Sequence, residues 1–247
     1  GTTFHMPWVP SLGVSFSLQL DGLSMLFSWL ICGIGIFIQL YAYHYMKGKP
    51  SSALFHFYLT LFMLAMLGLV LAGNILLLFI FWELTTMTSY LLIGFNHDQE
   101  ISRKNALQAI LVTGAGGLAL LAGLILLGQM AGTYELDRIV IRAPEFIFDP
   151  RFSPALILIL IGAFTKSAQV PFHFWLPGAM SAPAPVSAYL HSATMVKAGV
   201  YLLARLSPIF CHSDLWFWSL SVTGGITAVW SGLLALNQKD LKLMLAY

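Results

Sequence analysis

Apolar positions in this chain run on in long unbroken blocks. The first block covers residues 23–46. The second, residues 57–95, carries Glu83 as its single charge and is about twice the ~20 residues that one membrane-crossing helix needs. The turn dipeptide Gly73-Asn74 divides it. Residues 105–130 form an uncharged fourth block. Residues 153–206 have room for two spans, with Pro171, Pro177, Pro183 and Pro185 between their centres, and residues 215–236 form a seventh. The pattern predicts an all-α, polytopic transmembrane helix bundle of about seven spans, because a helix satisfies its own backbone groups in lipid. The longest polar segment, residues 131–152, leaves no place for a soluble domain.

Composition narrows the function. Hydrophobic residues make up 58% of the chain and charged residues 9%, against roughly a quarter charged in a soluble domain. That excludes a soluble enzyme and a disordered segment. A net charge of +2 is too small to steer a polyanion, so no nucleic-acid partner is expected. Cys32 and Cys211 fit neither a zinc nor an iron–sulfur spacing. The chain starts at Gly1 with no leader pattern and stops at Tyr247 inside a new apolar stretch. The expectation is one membrane domain over residues 1–247, an interior fragment of a longer protein. With residue 1 outside, Lys47, Lys49, Arg103, Lys104, Lys239 and Lys242 fall inside. Arg138, Arg142 and Arg151 fall outside among Glu135, Asp137, Glu145 and Asp149. This agrees with the excess of Lys and Arg on the cytoplasmic side of a plasma-membrane protein.

Three charges lie deep within the blocks, Glu83, Lys166 and Lys197, whereas Arg205 is one residue from a block end. Each costs at least ~2.5–3.5 kcal/mol at the bilayer centre. A rise of 1.5 Å per residue puts all three near mid-membrane. Glu83 is therefore available to pair with a lysine on another helix. A structural ion pair needs one amine, so a second lysine leaves a titratable group over, and ion or proton transfer becomes the better reading. Thr85, Thr86, Thr88 and Ser89 follow Glu83 and could hold waters. Lys166 directly precedes a proline-rich stretch, and a broken helix at membrane depth is tolerated only inside protein or beside a water-filled cavity. His191 lies six residues before Lys197, with Thr194 midway as a bridge. His173 sits in the break and could line a water path. Arg205 reads as an interfacial anchor, Asp21 as a helix N-cap. His44 and His56 read as interfacial, and His97, Asp98 and Glu100 as a solvated loop. Gly114, Gly116 and Gly117 permit close helix approach. A metal site from His5, Cys211, His212 and Asp214 has little support, and neither metal nor cofactor is expected.

Two long runs carry a resemblance: FTKSAQVPFHFWLPGAM from Phe164 and APAPVSAYLHSATMVKAG from Ala182. With DGLS from Asp21, FWELT from Phe81 and KDLK from Lys239, they resemble the antiporter-like subunits shared by respiratory complex I and the Mrp-type cation/proton antiporters. WVPSLG from Trp8 and SATMVK from Ser192 point to the A-type subunits of the Mrp branch. The resemblance implies two inverted five-helix repeats, with residues 57–206 as the first and residues 215–247 opening the second. It implies that Glu83 pairs with the broken-helix Lys166, and that His191 and Lys197 lie on a hydrophilic axis running sideways. It implies partner subunits and exchange of protons for Na+ or another monovalent cation; the chain shows no nucleophile–base set, phosphate loop or zinc pattern, so no enzymatic role is expected. Gly178 departs from the pattern, where an aspartate is common. The alternative is a proton-pumping subunit of complex I or of a membrane-bound hydrogenase. A haem protein using His44, His56 and His191 and a structural scaffold are the readings from other classes.

Overall fold

The computed structural model describes residues 2–10 and 14–247, with side chains except those of residues 191–193. It opens on a hairpin that the hydropathy pattern does not reveal. Strands β1 (Thr2–Val9) and β2 (Val14–Leu20) pair antiparallel, Thr2 opposite Leu20 and Val9 opposite Val14. The helices follow in chain order: α1 (Gly22–Tyr45), α2 (Ser52–Leu71), α3 (Ile75–Ile93) and α4 (Glu100–Ala131). Next come α5 (Leu136–Phe146) and α6 (Phe152–Lys166). A broken segment holds the short helices α7 (Trp175–Ala179) and α8 (Ala184–Val186). Beyond it lie α9 (Met195–Phe210), α10 (Asp214–Leu236) and α11 (Leu241–Ala246). Among the described residues, α1, α2, α3, α4 and α10 are long and apolar enough to cross a membrane, and α6 is a shorter apolar helix.

Local chemistry explains the boundaries. Asp21 caps α1 in a reciprocal box, accepting from the Ser24 amide at 2.9 Å while the Ser24 hydroxyl accepts from the Asp21 amide at 2.8 Å. The expected division at Gly73-Asn74 is where α2 ends. Asn74 caps α3 by accepting from the amides of Leu76 and Leu77. The fourth helix starts earlier than the apolar block, at Glu100, because polar residues can extend a helix beyond the membrane core. It stops at Gly132, whose φ of 66° is left-handed backbone that favours glycine. The polar segment 131–152 also folds. Helix α5 buries Leu136, Ile139, Ala143 and Phe146 and leaves Asp137, Arg138, Arg142 and Glu145 on its other side.

The bundle centres on α4, which packs along α3 and α6, with α2 and α9 completing the core. Large apolar side chains face outward on α1 and α10, among them Trp29, Phe37, Phe217 and Trp218. Such a surface suits lipid or further protein rather than water.

One end of the bundle is closed by polar links. Glu135, just before α5, accepts from the hydroxyls of Ser15 and Ser17 and from the Asn74 amide at 2.9 Å. His5 Nε2 lies 3.8 Å from it. Backbone bonds from Gly73 to Ser17 and from Leu136 to Gly73, both 2.8 Å, join the hairpin, the α2–α3 turn and the α4–α5 turn. Beside this clasp, Arg205 is not the interfacial anchor expected from sequence. It is 8% exposed and forms a two-pronged ion pair with Asp21, its Nε donating to the Tyr201 hydroxyl at 3.0 Å. Tyr201 in turn donates to the Val70 carbonyl at 2.7 Å. The carboxylate that caps α1 was close enough at the bundle end to capture the guanidinium.

Removing one member of a buried pair strands the other, so Arg205→Ala is expected to destabilise the fold by about 3 kcal/mol or more. Arg205→Lys should lose less, since one point charge replaces a fork. Thermal melting in detergent measures both. The Arg205 guanidinium, with help from Ser24, holds the Asp21 carboxyl at about 2, below its ordinary value of 3.8. A depressed acid adds stability above its unfolded value, so this contribution should be whole near neutral pH and fade as pH falls from about 4 toward 2.

Candidate functional site

Lys166 is the last residue of α6 and has 0% exposure. Fifteen helical residues place it about 21 Å from the start of α6 along the helix axis. Its amine donates to the Trp82 carbonyl at 3.0 Å and to the Thr86 hydroxyl at 2.6 Å, both on α3. The Trp82 ring lies beneath it, 5.0 Å from Nζ to the centroid. Thr86 itself donates to the Trp82 carbonyl at 3.2 Å, so amine, hydroxyl and carbonyl form a closed triangle.

Glu83 lies next to Trp82 in sequence and close enough for its charge to act on Lys166, yet no ion pair within 4 Å joins the two. Glu83 is half-buried, and its Oε1 is enclosed without a hydrogen-bond partner among the described residues. The amine instead takes backbone and hydroxyl oxygens, the nearest acceptors that α3 presents.

The helix breaks after Lys166, as the prolines predict. Ala168 adopts a left-handed φ of 51°, a single 3-10 turn spans Phe172–Phe174, and the short α7 and α8 follow. Ser187–Thr194 is π-helical before α9 resumes. Groups freed by the break find other partners. Trp175 Nε1 donates to the Thr165 carbonyl at 3.0 Å, and Ser167 donates to the Val196 carbonyl at 2.7 Å. The Val170 amide donates to Thr227 on α10 at 3.0 Å, and Lys242 on α11 reaches the Ala182 carbonyl. A π segment inside a helix is frequently found at functional positions, and His191 lies within it. The His191 side chain falls outside the described residues.

Lys197 is not buried with the other two charges. It lies on α9 and is exposed among the described residues. Thr85, Thr88 and Ser89 are buried and donate to carbonyls of their own helix at 2.7, 2.7 and 2.8 Å. Thr194 does likewise, to Tyr189 at 2.8 Å. Among these threonines and Ser89, Thr86 is the one that meets a charged group. His173 in the break is half-buried and accepts from Trp230 Nε1 at 3.3 Å. Near Gly178, where a carboxylate is absent, stand Asn105 and Gln108 of α4. His56 bonds to Gln39 at 2.8 Å.

Sequence reasoning missed the Trp82 carbonyl as the acceptor for Lys166, and it missed the Asp21–Arg205 pair. The second was signalled by opposite charges at matching ends of α1 and α9. The first had no sequence signal, since a backbone carbonyl belongs to every residue.

Comparison with known proteins matches this arrangement. Residues 72–247 fit the family described as NADH:quinone oxidoreductase/Mrp antiporter, transmembrane. Residues 6–56 fit the family described as NADH-ubiquinone oxidoreductase (complex I), chain 5 N-terminus. The A-type subunit of the Na+/H+ antiporter of Alkalihalophilus pseudofirmus is 51% identical over 98% of this chain, which covers 30% of that protein. A probable A/B-type subunit of a K+/H+ antiporter from Rhizobium meliloti is 48% identical over 99% of this chain, which covers 24% of that one. A chain in the solved Mrp complex from Dietzia sp. superposes with a TM-score of 0.93 at 41% identity, over all of this chain and 27% of its own length. The chain thus spans a third or less of the relatives it matches. With these motifs, the helix broken beside Lys166 and the two family matches over residues 6–56 and 72–247, the chain belongs to the family of NADH:quinone oxidoreductase and Mrp antiporter membrane subunits.

Proposed function

We propose that this chain is part of the proton-translocating membrane subunit of a multisubunit antiporter exchanging a monovalent cation for protons across the plasma membrane. The observation that carries it is the Lys166 amine, wholly buried where α6 breaks and held by one carbonyl and one hydroxyl. A structural cation at that depth would be matched by a bound carboxylate. An amine held by one carbonyl and one hydroxyl, with the nearest carboxylate not in contact, can give up its proton without first breaking a contact ion pair. The named relatives exchange Na+ or K+ for protons, which favours the antiporter branch over the redox branch of the family. The other subunits of such a complex are the expected partners.

In this reading Glu83 and Lys166 form the acid–amine unit of the first repeat, residues 57–206, and residues 215–247 open the second. His191 and Lys197 extend the path. The exposed position of Lys197 suits a handover across the α9 surface toward neighbouring protein. His173 and Thr194 flank the path, while Thr85 and Ser89 serve the α3 backbone. Residue 1 is placed on the outer side, with Lys47, Lys49, Arg103 and Lys104 inside.

The full-length antiporter in everted vesicles tests these roles. Lys166→Ala should abolish cation-driven proton exchange with the complex assembled; wild-type exchange would sink the assignment. Lys197→Arg keeps the charge but not the exchangeable proton, and should slow exchange at least about tenfold, a single unit of proton mismatch being worth that factor. His191→Ala should slow it less, because water can take its place. Near-normal exchange by Lys197→Arg would end the path before α9. Thr86→Val removes one partner of a buried ammonium and should cost about 1–3 kcal/mol of stability in detergent. Thr85→Val, which touches no charge, should cost clearly less.

A further inference from the structure

The tandem glycines on α4 receive side chains from two different helices. A Cβ on Gly116 would lie 1.8 Å from the Thr165 hydroxyl oxygen and 2.6 Å from the Thr165 Cβ, so this site takes the stiff residue before Lys166. A Cβ on Gly117 would lie 2.0 Å from Glu83 Oε1, 3.0 Å from its Cδ and 3.6 Å from its Oε2. The three nearest atoms to Gly117 thus all belong to the tip of one flexible carboxylate. Both glycines are buried, and α4 is helical on either side of them. Gly114, one turn earlier, has nothing within 4 Å of the corresponding point.

We propose that Gly117 is a positioning residue for the acid of this site: the bare α4 backbone there forms a notch that takes the Glu83 carboxylate and holds it off the Lys166 amine. The proposal rests on the reading that Glu83 and Lys166 handle protons. An acid and an amine free to close on each other at membrane depth would form a contact pair that must be broken at every turnover. With Glu83 Oε1 lodged against Gly117 and Lys166 bonded to Trp82 and Thr86, the two charges stay near but open. The notch is made from the lack of a side chain, so the smallest addition fills it. The atoms displaced are those of the carboxylate, whereas at Gly116 the packing of α6 would have to give.

The test uses the full-length antiporter in its complete complex, with Na+- or K+-driven proton movement followed in everted vesicles. Gly117→Ala should lower exchange roughly ten- to hundredfold with the complex assembled, the range expected for misplacing a reacting group by about an ångström. Gly114→Ala, the control for adding a methyl to the same helix, should exchange normally. Glu83→Asp withdraws the carboxylate by one methylene, so Glu83→Asp/Gly117→Ala should exchange as fast as Glu83→Asp alone. The same double-mutant cycle is read in the thermal midpoint of the purified complex, which needs no activity. There Asp should relieve the loss caused by Gly117→Ala, and Glu83→Gln, equal in size to Glu, should not. If Gly117→Ala fails to assemble, Glu83→Asp is expected to restore assembly. Wild-type exchange by Gly117→Ala, or a cycle in which the two sites simply add, overturns the proposal. Glu83→Gln with wild-type exchange would bring down the proton-handling reading itself. An inactive Glu83→Gln beside a normal Gly117→Ala would remove the notch alone.

Discussion

Holding the Lys166 amine out of water at membrane depth is the constraint around which the bundle is arranged. A charged group there costs several kcal/mol unless polar atoms replace its hydration. The protein supplies a backbone carbonyl, a threonine hydroxyl and the face of a tryptophan, all from one turn of α3. That requires α3 and α6 to meet at a fixed height. It also requires α6 to stop at the lysine, so that the residues beyond can turn across the bundle. Ala168, Trp175 and Ser167 carry the turn, and the bonds made there to α6, α9 and α10 keep its backbone groups satisfied.

The approach of α4 to α6 follows from the same demand. Gly116 and Gly123 on α4 and Gly162 on α6 let the two backbones come close, with Leu120 and Ile159 filling between them. In lipid such contact is the main source of helix association, because hydrocarbon solvates apolar side chains as well as protein does. Small residues therefore replace the large apolar seam of a water-soluble bundle. The close fit leaves α4 as a rigid wall behind both Glu83 and Thr165.

Polar links fix the end of the bundle where α1 and α3 begin and α9 nears its end. Glu135 gathers the hairpin, the α2–α3 turn and the start of α5, while Asp21 joins α1 to α9 through Arg205. These contacts lie at helix ends, where unpaired backbone groups and water-accessible charges coexist.

Much of this was legible in the residues alone. Long apolar blocks dictate membrane helices, Gly73-Asn74 divides α2 from α3, the prolines after Lys166 break the chain, and Asp21 caps α1. Each of these is local: it depends on residues within a turn or two, or on block length. Family membership was legible too, because the motifs around Lys166 and Lys197 are long and specific. The tertiary structure decided which groups meet. It gave Lys166 a carbonyl in place of the Glu83 carboxylate and buried Arg205 against Asp21. It left Lys197 exposed on α9 and paired Thr2–Val9 with Val14–Leu20 as a hairpin. The partners in these contacts stand up to 184 positions apart in the chain. They depend on helix height and rotation, which hydrophobic blocks leave undetermined, since a uniformly apolar helix shows no preferred face until its neighbours are in place.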